Sequence, residues 1–316
     1  MLVHFGIESL SAEWESAVAC IGTFDGVHLG HQQVLRAALE AAASRQVPCV
    51  VVTFDRHPAA TLAPDRVPAA IAAMGQNLAC LRGLGVGVCV VLAFDRALAA
   101  VTAQDFLDRI VLGRLKAEHV VVGHDFAMGK GREGTPDWLS QRISTTVVPP
   151  FLIDGLRVSS SQVREAVLVG DVGRAAALLG RPFAVQGVVV AGQKLGRQLG
   201  FPTVNIARSS EQVSPCDGVY AGRCMTSAGE FRAAISLGAR PAAGGGDRTL
   251  EAYLLDFPGG SLYGQSVELL FHTRLRDQLR FDDLNRLKAQ IALDVEAVAS
   301  MPMEETAGEG SVVGQD

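Results

Sequence analysis

The stretch Ala17-Val18-Ala19-Cys20-Ile21 is five apolar residues in a row and passes directly into Gly22-Thr23-Phe24-Asp25-Gly26-Val27-His28-Leu29-Gly30-His31, the start of a helical pattern that runs on through Gln46. A continuous rather than alternating apolar run marks a strand covered on both faces, as in parallel sheets flanked by helices. The rhythm recurs in PCVVVTF (48–54), VGVCVVLAF (86–94) and HVVVG (119–123), with the helical pattern TAQDFLDRIVLGRL (102–115) between the last two. These runs predict a doubly wound α/β domain with a parallel sheet. In such sheets ligands bind outside the carboxyl ends of the strands, which is where Gly22–His31 falls. Glycines let backbone approach a phosphate chain, a helix start offers unpaired N–H groups, and two imidazoles can donate to non-bridging oxygens. Taken singly, the glycines also fit a plain strand-to-helix turn with histidine caps; the combined GxFDGxHxGH string is far more specific.

Further along, ISTTVVP (143–149) leads to Ser159-Ser160-Ser161-Gln162-Val163-Arg164 and to DVGRAAALLG (171–180), whose Gly180-Arg181-Pro182 ending is a stop signal. Hydroxyls and free N–H groups at a helix start, with one arginine, form a triphosphate grip; a simple N-cap reads the serines equally well. Beyond Pro182 the rhythm changes to five strand-like runs at 183–192, 218–226, 230–238, 249–257 and 266–273, with glycine-rich turns and no intervening helix. That predicts a small antiparallel barrel or sandwich, closed by an amphipathic helix from about Asp282 to Ser300 and followed by a tail of disordered composition at 301–316. The expected division is therefore 1–181 and 182–300.

Composition narrows the class. A chain of 316 residues, 48% hydrophobic, can bury two cores. The opening MLVHFGIESL is no signal peptide and the Val86–Phe94 run is too short to span a bilayer, so a cytoplasmic protein without a membrane partner is expected. Six scattered cysteines show no metal or disulfide spacing. A formal net charge of −5 without a basic run argues against nucleic acid as partner.

In the second half, Gly192-Gln193-Lys194-Leu195-Gly196-Arg197-Gln198-Leu199-Gly200 is a basic, glycine-rich loop followed by Phe201-Pro202-Thr203-Val204-Asn205. Thr203 and Asn205 at i and i+2 project from one face of an extended segment, where both oxygens can serve a hard cation such as Mg²⁺. A mobile hairpin loop is the plainer alternative. Glu251 sits mid-strand between apolar neighbours, either as a base for a hydroxyl or turned outward to solvent, since Glu251, Tyr253 and Leu255 share one face. Glu268 reads as an exposed strand residue.

The GxFDGxHxGH string resembles the HxGH nucleotidyltransferases, and its Phe24-Asp25-Gly26 portion resembles bacterial FMN adenylyltransferases, the front half of bifunctional FAD synthetases. Asp55 with His57-Pro58, and Gly123-His124-Asp125-Phe126 followed by Gly129 and Arg132, resemble that family's further signatures. The GxxxGRxLGFPTxN pattern is similar to the riboflavin kinase signature, so the resemblance spans Ala17 to Ser300. It implies ATP-dependent phosphorylation of riboflavin to FMN and ADP, then adenylyl transfer to FMN giving FAD and pyrophosphate, both with Mg²⁺. By resemblance Glu251, His28 and His31 are catalytic. Gly22, Phe24, Asp25, Gly26, Gly30, Ser159, Ser160, Ser161, Arg164, Gly192, Lys194 and Gly196 bind nucleotide. Asp55, His57, Pro58, Asp125, Phe126, Arg276 and Phe281 bind flavin; Thr203 and Asn205 hold the metal. Two departures stand out: Ala127 where the family commonly has arginine, and Ala242-Ala243 with extra glycines after Arg240-Pro241. The rival readings are an adenylyltransferase with an impaired kinase barrel and a non-catalytic flavin-binding protein. Oligomeric state is not legible.

Overall fold

Every residue of β2 (Ala17–Ile21) and nearly every residue of β3 (Cys49–Phe54) and β4 (Val88–Leu92) is buried, as unbroken apolar runs require. The computed structural model describes residues 1–10, 13–192, 195–239 and 248–302. Two units divide the chain: Met1–Gln186 with Arg208–Cys216, and Gly187–Ala207 with the chain from Asp217 onward.

In the first unit β1 (Leu2–Phe5), β5 (Ala117–Gly123) and β6 (Ser144–Val148) join the other three in one parallel sheet of order β1-β4-β3-β2-β5-β6. Side chains alternate between two cores. Ala17, Ala19, Ile21, Val50, Val52 and Val90 enter one; Val18, Cys20, Val51, Cys89 and Val91 enter the other, where α1 (Leu29–Arg45) lays Val34, Leu35, Ala38 and Ala42. From β2 the chain steps outward through β3 to β4, which pairs with the N-terminal edge strand β1, and then crosses to β5 and β6 on the other side of β2. The topological switch point therefore lies at the carboxyl ends of β2 and β5. Sequence patterning missed β1, a four-residue edge strand, and the short hairpin of β7 (Leu152–Ile153) and β8 (Leu156–Arg157). The expected helix at 102–115 is a short α turn followed by a wide π-type segment, Phe106–Arg114.

The second unit is a closed six-stranded antiparallel barrel in the order β10-β13-β12-β11-β14-β9. Its strands are β9 (Phe183–Val190), β10 (Thr203–Arg208), β11 (Gly218–Thr226), β12 (Gly229–Ala239), β13 (Arg248–Leu254) and β14 (Ser266–Arg276). Five strands were expected without a helix; β10 is the sixth, and Leu195–Leu199 is a short helix. Closure demands close backbone approach: a Cβ on Gly187 would lie 2.4 Å from the Ala207 carbonyl oxygen, and one on Gly222 would lie 2.0 Å from that of Leu270. The helix Leu284–Ser300, N-capped by Asp283, covers Ala221 and Leu255 with Val298.

Two sequence readings change here. Arg276, expected at flavin, gives its guanidinium to Asp294 on that helix through Nε (2.9 Å) and Nη2 (2.6 Å). Glu268 is half-buried and engaged with a neighbour, so it is not an exposed residue. Asp294 is 7% exposed, and removing its carboxylate strands a largely buried guanidinium. Asp294→Ala is expected to lower stability by about 3 kcal/mol in denaturant unfolding; a loss under about 1 kcal/mol would show that the pair contributes little.

Candidate active sites

The turn from β2 into α1 is strained and over-determined. Phe24 (φ 45°) and Val27 (φ 41°) both sit in the left-handed region, which costs a non-glycine residue on the order of 1 kcal/mol or more. Their neighbours hold them there. Arg181 donates to the carbonyl of Gly26 at 2.8 Å, Gln32 donates to that of Val27 at 3.0 Å, and Thr53 donates to that of Thr23 at 3.1 Å. Gly26 (φ 73°) admits no side chain, because a Cβ would meet Ile71 Cγ2 at 2.6 Å.

His28 ends the turn as the N-cap of α1: its Nδ1 accepts the N–H of His31 at 3.2 Å. The ring proton therefore resides on Nε2. The two imidazoles stack with ring centroids 3.7 Å apart and 15° between planes, Phe24 meets His31 in a T-shaped contact with centroids 5.4 Å apart, and Gly30 leaves room for the His28 ring. Burial pushes the His28 pKa down to about 4 against the pull of Asp125, and burial with the adjacent His28 ring holds His31 well below the usual range. Both are neutral N–H donors near pH 7. His31 Nδ1 is buried without a partner among the described residues.

Arg164, on the helix Ser160–Leu168, donates through Nη2 to Asp25 (2.6 Å) and through Nε to the carbonyl of Ala69 (2.6 Å). Asp25 also accepts the N–H groups of Ile71 (2.9 Å) and Ala72 (3.3 Å). Asp25 and Gly26 thus stand behind the site and do not line its cavity. Ser159 is the N-cap of its helix, accepting from Gln162, while Ser160 and Ser161 are left to the cavity wall.

That cavity, about 750 Å³, opens at the switch point. Its lining combines polar groups, His28, His31, Ser160, Ser161 and Arg164, with the aromatic rings of Phe54, Phe94, Phe106, Phe126 and Phe151. Gly22, Gly30, Ser159, His57, Pro58 and Asp125 are also on its walls, but Asp55 is not: its carboxylate accepts the N–H of Phe94 (2.9 Å) and pairs with Arg56, fastening a loop. Phe94 and Phe151 escaped sequence reasoning because isolated aromatics outside helices and strands carry no spacing signal, and Phe106 because it reads as an ordinary core residue of a helical pattern. Arg157, also missed, pairs with Asp125 at 2.9 Å. Ala127 lines the cavity beside Lys130 and Arg132.

The barrel carries a second constellation on its outer face. Leu250, Ala252 and Leu254 point inward, leaving Glu251 and Tyr253 half-buried on the outside. Glu251 lies opposite Asn205 on β10 and Ser236 on β12, and its carboxylate accepts the Thr203 hydroxyl at 3.1 Å. Leu255, expected on that open face, is covered by the C-terminal helix. Asn205 Oδ1 is buried with no partner among the described residues, and Gly192 packs against that amide so closely that a Cβ would come within 2.2 Å of Nδ2. Gly196 likewise presses on the Phe201 carbonyl and faces Thr203 Oγ1. Two neutral oxygens beside a carboxylate form a donor set suited to a hard cation. Gln278, unforeseen, donates to Ser236 Oγ at 2.9 Å, folding the segment that bears the half-buried Phe281 toward this face. Lys194 and Arg240–Gly246 lie outside the described residues.

Comparison with known proteins adds a third observation. The family profile of FAD synthetase matches residues 10–162 and that of riboflavin kinase matches residues 179–301. A bifunctional riboflavin kinase/FMN adenylyltransferase of Pseudomonas fluorescens is 39% identical over 302 residues, covering 94% of this chain and 96% of its own. Proteins of the same name from Escherichia coli K12 and Bacillus subtilis are 38% and 31% identical, over 92% and 90% of this chain and 94% and 92% of their own. A solved structure from Streptococcus pneumoniae, described as a macrolide-efflux protein, superposes with a TM-score of 0.87 at 29% identity, covering 96% of this chain and all of that one. No helix among the described residues is long and apolar enough to cross a membrane. The chain belongs to the bifunctional riboflavin kinase/FMN adenylyltransferase family.

Proposed function

We propose that the two sites divide the family's two reactions: the barrel face around Glu251 phosphorylates riboflavin to FMN with release of ADP, and the cavity at the β2 switch point adenylylates FMN to FAD. In residue terms, 1–181 serve adenylyl transfer and 182–300 serve phosphorylation. The observation that carries the reading is the neutral, stacked His28–His31 pair, which with Arg164 lines a cavity also walled by aromatic rings. Both reactions consume ATP, which is why a cytoplasmic location is proposed.

In adenylyl transfer an FMN phosphate oxygen attacks the α-phosphorus of ATP, the new P–O bond forms, and the bond to the β-phosphate breaks to release pyrophosphate. The nucleophile is already an anion, so no base is required. The residues work by position: His28 Nε2–H and the His31 imidazole donate to the α-phosphate oxygens as charge develops, while Arg164, Ser160 and Ser161 hold the departing phosphates. The aromatic lining accepts the isoalloxazine ring, with His57, Pro58 and Phe126 among its contacts.

Riboflavin's hydroxyl is a poor nucleophile until it loses a proton. Glu251 takes that proton while the hydroxyl oxygen attacks the γ-phosphorus and ADP departs. Gly192 and Gly196, packed against Asn205 and Thr203, border the phosphate chain. The buried Oδ1 of Asn205 and the Thr203 hydroxyl fit Mg²⁺, which when bound neutralises charge on the ATP phosphates. An intact Thr203, Asn205 and Glu251 set favours an active kinase over a barrel that has lost its chemistry.

Three outcomes follow. His31→Ala removes a transition-state donor and is expected to cut FAD formation from FMN about 10²- to 10³-fold while riboflavin phosphorylation continues, read by separating flavin products over time. Unchanged FAD formation by the folded variant removes His31 from the mechanism.

Imidazole ¹⁵N spectra are expected to show His28 neutral, with its proton on Nε2, from pH 8 down to about 5, whereas an ordinary histidine titrates near 6.5. Because the folded pKa of about 4 lies below the unfolded value, the unfolded chain binds the proton first as pH falls. The stability tied to neutral His28 is therefore full above about pH 6.5 and is lost between there and about pH 4. A His28 resonance that titrates near 6.5 contradicts this.

Glu251→Gln keeps size and hydrogen bonding but cannot take a proton, so FMN formation is expected to fall about 10²- to 10⁴-fold with FAD formation from supplied FMN intact. The control is Glu296→Gln on the exposed side of the C-terminal helix, in place of the engaged Glu268. If riboflavin phosphorylation survives within a few-fold, or both reactions fall together, Glu251 is not the kinase base.

A further inference from the structure

The segment Arg208–Cys216 leaves the end of β10 yet belongs to the sheet unit. There the Ala70 N–H donates to the Glu211 carbonyl and the Val213 N–H donates to the Ala70 carbonyl, both at 2.8 Å, a single parallel bridge between Ala70 and Gln212. Gln212 is 5% exposed, and its side-chain amide donates to the carbonyls of Ile71 (3.0 Å) and Ala184 (2.9 Å). A buried polar side chain so fully engaged fixes what it touches.

What it touches is the loop that aims Arg164. Residues 67–73 have no helix or strand of their own, so bonds from either side set the loop's position. On the site side, Ala69 gives its carbonyl to Arg164 Nε, and the Ile71 and Ala72 N–H groups hold the carboxylate of Asp25 that receives Nη2. On the opposite side stand Gln212 and its bridge. We propose that Gln212 is a positioning residue for adenylyl transfer: it sets the 69–72 loop, and through it the direction in which Arg164 meets the phosphates. The inference rests on the assignment of Arg164 to those phosphates.

The test uses the full chain, with riboflavin phosphorylation as the internal control. Gln212→Met keeps the volume of the side chain and removes its two donors. The expected result is a loss of about 10- to 100-fold in kcat/KM for ATP in FAD formation, carried mainly by KM, with riboflavin phosphorylation unchanged. In an Arg164→Lys background, where the two-pronged grip is already gone, the same substitution is expected to add less than about 2-fold, because two residues on one path do not add. Wild-type ATP kinetics in Gln212→Met, with Arg164→Lys impaired, overturns the proposal and leaves the Arg164 assignment standing. A loss that falls on kcat alone, or that multiplies fully with Arg164→Lys, shows a generally structural role and also overturns it. Unimpaired Arg164→Lys removes the assignment itself, and with it this inference. Should Gln212→Met not fold, Gln212→Asn, whose carboxamide is too short to reach both carbonyls, is put through the same cycle and decides by the same outcomes.

Discussion

The carboxylate of Asp25 is the interaction on which the front site depends. It receives two backbone N–H groups and the Arg164 guanidinium at once, so one side chain joins the turn after β2, the irregular loop at 69–72 and the start of the Ser160–Leu168 helix. Charge-assisted bonds of this sort are roughly twice as strong as neutral ones, and both partners are mostly shielded from water. Around this junction the backbone gives way to fit. Gly26 has no Cβ because Ile71 occupies that space, and its N–H donates to Asn77 Oδ1 at 2.9 Å. The left-handed Phe24 and Val27 are tolerated because Arg181, Gln32 and Thr53 satisfy the carbonyls that the strained turn leaves over.

Much of this was legible in the sequence, and what was not has a common reason. Continuous apolar strands, the glycine-punctuated turn and the helix that follows it announce themselves through local order, which is why the parallel sheet and its cavity fall where Gly22–His31 indicated. The change of rhythm after Pro182 announced the run of barrel strands, of which β9 starts at Phe183. Interactions between distant residues leave no such trace. That Asp25 braces Arg164, that Arg276 pairs with Asp294 and that Arg181 supports the turn cannot be read from spacing. Strand β10 was hidden because TVNIAR alternates polar residues on its outer face, where Thr203 and Asn205 look like loop composition. Nothing in residues 208–216 says that they return to the sheet unit.

On the proposed assignment the two sites differ in kind because their nucleophiles differ. A hydroxyl must lose a proton as it attacks, so the barrel face needs a base, and Glu251 sits half-buried on the barrel's outer face, touched by the Thr203 hydroxyl. A phosphate monoester arrives as an anion, so the cavity needs donors and no base. This explains why burial, which would cripple a histidine meant to carry a proton, suits His28 and His31. Rings 3.7 Å apart cannot both be cations at modest cost, and burial removes the temptation by keeping both neutral.

Neutral donors also bear on turnover. A fixed cation binds ATP and pyrophosphate strongly whether or not the reaction is in progress, and uniform binding of that sort does not raise kcat. An N–H held by a helix cap and a stacked ring gains most when charge builds on the oxygen in front of it, and loses that gain once the bond has broken. Arg164, which lines the cavity with the pair, shares its charge with Asp25, which on the proposed assignment tempers its hold on the leaving group while fixing its direction. On that assignment the polar lining of the cavity stabilises the transition state through geometry, and the geometry is what the strained turn, the Asp25 junction and the loop at 69–72 maintain.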